Sequence, residues 1–332
     1  MPLPAWFDGV LEPLQADGEQ RLPLDALRRF LQAPVEAFLR HRLGLRLPEI
    51  EAPEGDVEPL LIPGRGLARQ ALQRAVFEAC LRGDDDATTH ALLRARGLLP
   101  SGPLGRRTLE QVRGDVARYA DAFRDWRGEA TADAPRLEVD IDGAVLHGRV
   151  RDVFPHGIAR IRFDTPNGPS SIRNGLDWLF ARAAGMDVSL VEFHDGGDAG
   201  PGPHPRPDLD PDTARGLLRS LVTLREKGLR EPLPFAPYAG WELFNAPTLE
   251  KGLDAAAKKW RGSERSWSER DGDALRLALR GRDPFNDGAT QVAFVDLALT
   301  IYLAVVSGAA YEGTDVDAMH ALAANLDTED AE

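Results

Sequence analysis

Residues 136–164, which read RLEVDIDGAVLHGRVRDVFPHGIARIRFD, decide the fold, because they predict three consecutive strands. Apolar and polar residues alternate through 137–141, which is typical of a strand with one buried face. Asp142-Gly143 is a strong signal for a two-residue hairpin turn, so the next strand should run antiparallel to the first. A proline and a glycine at 155 and 157 predict a second turn. The strands are expected over 137–141, 144–153 and 158–164.

Helical patterns flank these strands on both sides in the sequence. Thr108 and Gln111 form a capping box, and apolar residues at helical spacing then predict a helix to about residue 127. After the strands, the pattern predicts a helix over 176–183 and a further strand over 188–193. The resulting order of helix, three-strand meander, helix and strand is the core of the restriction-endonuclease-like (PD-(D/E)xK) nucleases. The predicted fold class is therefore α/β (α+β), with this core and added helices.

The rest of the chain is predicted to be mainly helical. Further helices are expected over 24–31, 34–43, 67–82, 86–96, 213–227, 248–260, 271–280 and 290–306. An acidic, Pro-rich connection covers 48–65, and a Gly/Pro/Asp-rich loop covers 194–212. The expected division is a linker over 1–20, which looks severed from something upstream, one domain over 21–306 and an acidic flexible tail over 307–332. The domain would comprise a helical part (21–130), a mixed-sheet core (106–193) and a helical C-terminal part (213–306).

Composition excludes several classes of protein. The 332 residues carry 53 acidic and 40 basic side chains, which gives a formal net charge of −13. Seven of the acidic residues lie beyond residue 310. The body is therefore only mildly acidic, which argues weakly against non-specific binding of nucleic acid but leaves room for a local basic face. The single cysteine, Cys80, excludes a disulfide framework and a multi-cysteine zinc site. No signal peptide and no uninterrupted apolar stretch of about 18 residues are apparent, so we expect a cytoplasmic protein without membrane contact.

The predicted hairpin lacks the chemistry of an active nuclease. Such enzymes need an aspartate on the second strand and an Asp/Glu-x-Lys on the third to hold Mg²⁺ and activate water. Here the third strand carries Arg160 and Arg162 at those positions, and a guanidinium cannot bind a cation. No lysine precedes Lys227, and alternation is expected to place Asp152 on the face opposite Arg151. The sequence thus predicts a catalytically degenerate domain, with no metal, no other cofactor and no catalytic residue.

Arginines occupy one side of the second and third strands instead. The four are Arg149, Arg151, Arg160 and Arg162. If the apolar sides of the strands share a core, all four guanidinium groups emerge on one face, which would suit DNA phosphates. The alternative is a solvated face, or one whose arginines pair with Glu138 and Asp140. Both interpretations stay open from the residues alone.

Two other groups of residues also allow more than one interpretation. Arg280 and Arg282 follow a predicted helix and are further candidates for DNA contact, although a C-terminal helix cap at Gly281 would also explain this pattern. His194 and His204 lie in the Gly/Pro-rich loop, where a surface position is favoured over a metal-binding role.

Six short segments carry a resemblance to a known family. They are Leu24-x-x-Leu27-x-x-Phe30-x-x-x-Pro34-x-x-x-Phe38-Leu39-x-x-Arg42-Leu43, Gly97-Leu98-Leu99-Pro100-x-Gly102-x-Leu104-Gly105, Val145-Leu146-His147-Gly148, Leu176-Asp177-Trp178-Leu179, Glu231-Pro232-Leu233-Pro234-Phe235 and Leu279-Arg280-Gly281-Arg282-Asp283-Pro284. In this order they resemble the C-terminal region of the exodeoxyribonuclease V gamma chain, RecC, of the bacterial RecBCD helicase–nuclease. The resemblance runs from about Leu22 to about Val306.

The resemblance implies a role without catalysis. The family's C-terminal domain is a degenerate nuclease fold, its partners are the RecB and RecD chains and forked or duplex DNA, and the complex acts in double-strand-break repair and homologous recombination. The large upstream domains of a full gamma chain do not occur here, which implies a fragment or a truncated relative. We therefore expect a scaffolding and DNA-guiding domain. The alternatives are a residual metal-dependent nuclease and a protein-interaction module that binds RecB and RecD without DNA contact.

Overall fold

The computed structural model describes residues 7, 9–14, 20–46, 66–263, 267–280 and 282–313. The predicted Pro-rich connection and most of the predicted acidic tail lie outside the described residues. The strands are β1 Gln20–Pro23, β2 Arg136–Ile141, β3 Ala144–Arg149, β4 Val153–Phe154, β5 Gly157–Ile161, β6 Leu190–Phe193 and β7 His204–Pro205. The helices are α1 Leu24–Gln32, α2 Pro34–Arg42, α3 Leu67–Arg82, α4 Asp86–Ala95, α5 Gly102–Arg127, α6 Gly168–Ala183, α7 Pro211–Gly228, α8 Pro237–Asn245, α9 Leu249–Arg261, α10 Asp273–Leu279 and α11 Gly288–Tyr302.

The strands form two small mixed sheets. In the first, of order β1-β3-β2, β3 pairs antiparallel with β2 and parallel with β1. In the second, of order β4-β5-β6-β7, β5 and β6 are parallel and α6 lies between them in sequence. The mixed α/β class and the order of helix, strands, helix and strand are confirmed.

The predicted second strand is interrupted, which is why the meander divides between two sheets. Asp152 adopts a left-handed conformation with φ 55°, a region that non-glycine residues seldom occupy. The interruption separates β3 from β4, although Val153 still forms a bridge to Asp133 and pairs with Ile158. The hairpin turn at Asp142-Gly143 is confirmed, because both residues have the positive φ that a type I′ turn requires.

Two helix predictions need correction. Helix α5 begins at Gly102 rather than near Thr108, whose hydroxyl donates to the Leu104 carbonyl at 3.0 Å inside the helix instead of capping it. Pro103 explains the difference, because proline favours the first turn of a helix as well as loops. Helix α8 was not predicted, since its nine residues carry too short a pattern of apolar positions. The loop over 194–212 contains β7 and a short 3₁₀ turn.

Helix α6 lies at the centre of the larger hydrophobic cluster and is buried along most of its length. This cluster joins α1, α6, α7, α8, α9 and α11 to the inner side of the first sheet. A second cluster joins α3, α4 and α5 to Phe154, Ala159 and Phe193 of the second sheet. The two clusters meet at the hairpin strands, which carry the arginines.

Helix α11 and the π-helical turn after it, Gly288–Ser307, are long and apolar enough to cross a membrane by length and composition. Gln291, Asp296 and Thr300 interrupt this segment, so it is not an uninterrupted apolar stretch. Half of the segment is buried inside the protein, against α6 and α8 among others. The core helix of a protein can be equally long and apolar, and the packing shows that this segment belongs to the core.

Glu269 caps α8 from a buried position and should make stability depend on pH. Its carboxylate accepts hydrogen bonds from the backbone N–H groups of Tyr238 (2.9 Å) and Ala239 (2.5 Å), and the residue is 3% exposed. Burial raises the pKa of Glu269 to about 7, against the opposing effect of these bonds and of Lys259. Because the pKa in the folded state exceeds the ordinary 4.5, the folded state binds more protons than the unfolded state between these pH values. Stability contributed by this group is therefore lost as pH rises.

We expect Glu269→Gln to remove this loss. Between pH 4.5 and pH 7, the free energy of unfolding of the wild type should fall relative to that of the variant by up to about 3 kcal/mol, and the difference should be constant above pH 7. Urea denaturation of both proteins at a series of pH values measures this difference in the free energy of unfolding. Glu242→Gln, at an exposed position nearby, is the matched control. A flat difference between wild type and Glu269→Gln across this range would contradict the prediction.

Candidate nucleic-acid interface

A cleft of about 1140 Å³ lies between the two hydrophobic clusters. Helices α1 and α6 line it from the first cluster, and α3 and α5 line it from the second, with residues of β3, β4 and β5 between them. All four hairpin arginines, Arg149, Arg151, Arg160 and Arg162, line this cleft. The structure therefore brings the predicted group together on one concave surface.

The two arginines of the second predicted strand are free. Arg149 and Arg151 are exposed, and neither forms an ion pair with any of the described residues. The backbone carbonyl of Arg151 accepts a hydrogen bond from Nη1 of Arg160 at 2.9 Å, which leaves the Arg151 guanidinium available. These two groups can meet an anion without first breaking a contact.

Arg160 is committed to a structural contact. Its Nη2 lies 2.5 Å from Oδ2 of Asp177 on α6, and Nη2 of Arg28 on α1 lies 2.5 Å from Oδ1 of the same carboxylate. The Asp177 side chain is 7% exposed, and those of Arg160 and Arg28 are 13% and 19% exposed. One buried carboxylate thus joins α1, α6 and β5 through two charge-assisted hydrogen bonds.

Arg162 is held at the end of the third strand by its own turn. Its Nε donates to the Thr165 carbonyl at 2.7 Å, and its Nη2 lies 3.8 Å from Asp164. Glu138 and Asp140, the carboxylates that the alternative interpretation pairs with the hairpin arginines, have other partners. Glu138 bonds to Arg21, and Asp140 accepts a hydrogen bond from the backbone N–H of Gly143.

Asp152 does not point away from Arg151 as alternation predicts, because both side chains line the cleft. The left-handed backbone of Asp152 ends the alternation of the strand and turns its carboxylate towards Arg160, whose Nη1 lies 3.8 Å away. Within the described ranges, no three His, Cys, Asp or Glu side chains come close enough to hold a metal ion. Asp177, a carboxylate in the cleft, already binds two arginines.

Four further arginines in the cleft were missed by sequence reasoning. They are Arg28, Arg74, Arg127 and Arg173. Arg173 precedes Asp177 by four residues on α6, a spacing that puts both on one helix face and could have indicated it. The others come from α1, α3 and α5, and no local signal links these helices to the hairpin. Burial, followed by the positive charges of Arg28 and Arg160, lowers the pKa of Arg173.

Arg280 and Arg282 do not line this cleft. Arg280 itself adopts the left-handed conformation that ends α10, and its backbone N–H donates to the Arg276 carbonyl. The rings of His194 and His204 stack at 4.4 Å between centroids, and burial lowers the pKa of His194. Both histidines are half-buried and packed against each other, rather than on the open surface of the loop.

Comparisons with known proteins agree on one family. Residues 19–248 match the family model described as the RecC C-terminal domain, a range that includes the whole cleft. The chain is 30% identical over 238 residues to the RecBCD enzyme subunit RecC of Mycolicibacterium smegmatis, with 70% of this chain and 21% of the relative covered. It is 26% identical over 239 residues to the same subunit of Escherichia coli K12 (69% and 20% covered) and 32% identical over 245 residues to that of Mycobacterium tuberculosis (70% and 21% covered).

The chain spans about one fifth of the length of these curated relatives. The matched residues contain the hairpin, α6 and the cleft, whereas Arg280 and Arg282 lie beyond them. Since the family model covers more than half of the chain, this protein belongs to the RecC C-terminal domain family.

Proposed function

We propose that this chain is a non-catalytic scaffolding and DNA-guiding domain of a RecBCD-type exodeoxyribonuclease V that acts in double-strand-break repair and homologous recombination. The arginine-lined cleft carries the proposal, because it lies on the strands that would hold the metal ligands of a nuclease. RecB and RecD chains are the proposed protein partners, forked or duplex DNA is the proposed nucleic acid, and the cytoplasm is the proposed location.

The proposal includes a restriction-endonuclease-like core that has lost its active site. The order of α5, the hairpin strands, α6 and β6, together with the parallel pairing of β5 and β6, supports this relation. Arg160 and Arg162 stand at the positions of the Asp/Glu-x-Lys ligands on the third strand. Arg160 contacts Asp177 where a nuclease would need free carboxylates for Mg²⁺.

The proposed DNA contact rests on the distribution of charge. Eight arginines and six carboxylates line the cleft, whereas the chain as a whole is strongly acidic. A local excess of guanidinium groups is suited to phosphate oxygens, which fix the position of DNA without reading its sequence. Arg280 and Arg282 remain secondary candidates for the same role.

Assembly with partner chains tests the proposal. The 332-residue chain is co-expressed with the RecB and RecD chains of the same organism, and we expect all three to co-purify and to bind a forked duplex. If the three chains assemble but binding of the fork is unchanged after Arg149→Gln/Arg151→Gln, the protein-interaction module without DNA contact is the better description. If they do not assemble, the scaffolding role is wrong.

We expect no nuclease activity from the chain itself. Incubation with linear DNA and Mg²⁺ or Mn²⁺ should give no cleavage above background, because guanidinium groups replace metal-binding carboxylates at the hairpin. Gel analysis of end-labelled DNA measures the extent of cleavage. Cleavage that disappears in Asp152→Ala but persists in the matched surface variant Asp142→Ala would support the residual nuclease instead.

A further inference from the structure

We infer that the acidic segment 314–332 of this chain binds a patch of four arginines where α4 ends and α5 begins. The four are Arg94, Arg96, Arg106 and Arg107, called the α4–α5 patch below. This surface lies outside the arginine-lined cleft, and the inference is independent of the proposed function. Phe123, the residue of α5 nearest in sequence that lines the cleft, is about 24 Å further along the helix axis than Arg107.

Helices α4 and α5 pack antiparallel, which brings the four arginines to one end of the pair. At the start of α4, Asp86 forms an ion pair with Arg113, and the carbonyl of Asp84 accepts a hydrogen bond from the same guanidinium at 2.7 Å. Further along α4, the Nε2 atom of His90 would lie 3.1 Å from a Cβ atom at Gly105. The contacts move towards the start of α5 as α4 proceeds, so the last residues of α4 and the first turns of α5 lie together.

The α4–α5 patch carries positive charge without compensation. All four arginines are exposed, and none forms an ion pair with any residue that the structure describes. No aspartate or glutamate occurs between Asp86 and Glu110, although the chain has a net charge of −13. The positive end of the α5 dipole lies at the same place and adds to the local potential. The patch is therefore suited to a strongly acidic ligand.

Exposed leucines beside these arginines favour a polypeptide over nucleic acid as that ligand. Leu92 and Leu104 are 36% and 43% exposed, and each lies two residues before an arginine of the patch. Phosphates bind the charges alone, whereas an acidic segment that also carries apolar side chains can remove the leucines from water.

Residues 314–332 have this chemistry. They contain six acidic side chains and neither lysine nor arginine. The six are Asp315, Asp317, Asp327, Glu329, Asp330 and Glu332. Met319, Leu322 and Leu326 recur between these acids at helical spacing, which supplies apolar groups for the leucines of the patch.

The segment is long enough to reach the patch. Gly313 is the last described residue, and 19 residues follow it in the sequence. Nineteen residues span up to about 65 Å when extended, whereas a compact chain of 332 residues is about 50 Å across. The cleft suits this segment less well, because six carboxylates line it beside its eight arginines and would repel the acids.

Carbodiimide coupling of the full chain tests the inference, because this reagent joins a carboxylate to an amine only where the two are in contact. Arg106→Lys/Arg107→Lys keeps the charge of the patch and supplies the amines. We expect peptide mapping by mass spectrometry to find positions 106 and 107 joined to acids of 314–332 within one chain, and less of this product at about 1 M salt. Glu110, one helical turn from position 106, should couple to it in every sample and shows that the amines react.

Matched variants locate the effect of charge. Added to the lysine variant, Arg94→Gln/Arg96→Gln removes half of the charge of the patch. Exposed ion pairs are individually weak, so the initial rate of coupling to 314–332 should fall by up to about fivefold. Arg149→Gln/Arg151→Gln removes two cleft arginines that are unpaired among the described residues, and it should leave this rate unchanged. Arg149→Lys/Arg151→Lys, which supplies amines in the cleft instead, should couple to the segment more slowly than Arg106→Lys/Arg107→Lys.

Each other outcome counts against the inference. Absence of coupling between positions 106–107 and the segment, with Glu110 coupled normally, would overturn it. Faster coupling of the segment to the cleft amines would also overturn it and assign the segment to the cleft. Products joined only between two chains would replace binding within one chain by contact with a second copy. Equal losses in the two glutamine variants would show a diffuse charge effect and overturn the patch.

Discussion

Replacing Asp177 with alanine is expected to lower the free energy of unfolding by about 3–5 kcal/mol, because it leaves two mostly buried guanidinium groups without their shared partner. Arg28 and Arg160 would each lose a hydrogen bond of 2.5 Å to this carboxylate. Arg28 still has the exposed Asp25, but Nε of Arg28 is already buried without a hydrogen-bond partner among the described residues. The connection between α1, α6 and β5 would be lost with the carboxylate.

Chemical denaturation of the full chain measures this effect. Asp121→Ala is the matched control, because Asp121 on α5 also pairs with an arginine, Arg124, but the two side chains are 67% and 45% exposed. Exposed ion pairs contribute about 0–1 kcal/mol, so the control should change stability by no more than that. Similar losses in the two variants would show that the buried carboxylate is no more important than a surface one.

Replacing Gly175 with alanine should also destabilise the fold, by about 3 kcal/mol. A Cβ atom at this position would lie 1.9 Å from the carbonyl oxygen of Val305 and 2.6 Å from the Val305 side chain. The obstructing oxygen belongs to the π-helical turn Leu303–Ser307, so the backbone of one of two packed helical segments must shift. Overpacking of this kind costs about 1–3 kcal/mol and occasionally more, and backbone atoms yield less readily than side chains.

Gly114 provides the control for the change to alanine. It lies on the exposed side of α5, and a Cβ atom there would have no atom within 4 Å. Gly114→Ala should therefore raise the free energy of unfolding by about 0.5–1 kcal/mol through helix propensity alone. Thermal and chemical denaturation of both variants give the comparison. Equal effects of the two substitutions would contradict the close approach of α6 to the π-helical turn.

The buried contact of Asp177 with Arg28 and Arg160 also decides which variants can test DNA binding by the hairpin arginines. Variants of Arg160 disturb a contact that joins three elements, so a loss of DNA binding in them would combine instability with lost charge. Arg149 and Arg151 are exposed and unpaired within the described chain, and they report on DNA contact without this complication. The distinction follows from burial and pairing, which periodicity does not reveal.

Strong local patterns predicted most of the elements. The Asp142-Gly143 turn and the alternating residues before it predicted the hairpin, because turn geometry depends on the residues that form it. Helix α1 and helix α2 have their expected limits, since Pro34 starts the second helix and cannot continue the first. The start of α5 was placed six residues late, because Gly102 and Pro103 favour both a loop and a first helical turn.

The sequence by itself determined the class of fold, the order of the hairpin and its flanking elements, and the presence of four arginines on the predicted hairpin strands. These properties depend on residue type and on spacing along the chain. Only the tertiary structure decided which arginines are free. Arg28, Asp177 and Arg160 are far apart in sequence and meet because α1 and β5 both pack on α6. Asp152 joins the cleft because its backbone leaves the strand conformation, and Arg127 and Arg173 join it because separate helices pack around the hairpin. Contacts between segments distant in sequence depend on the packing of whole elements, which no local pattern encodes.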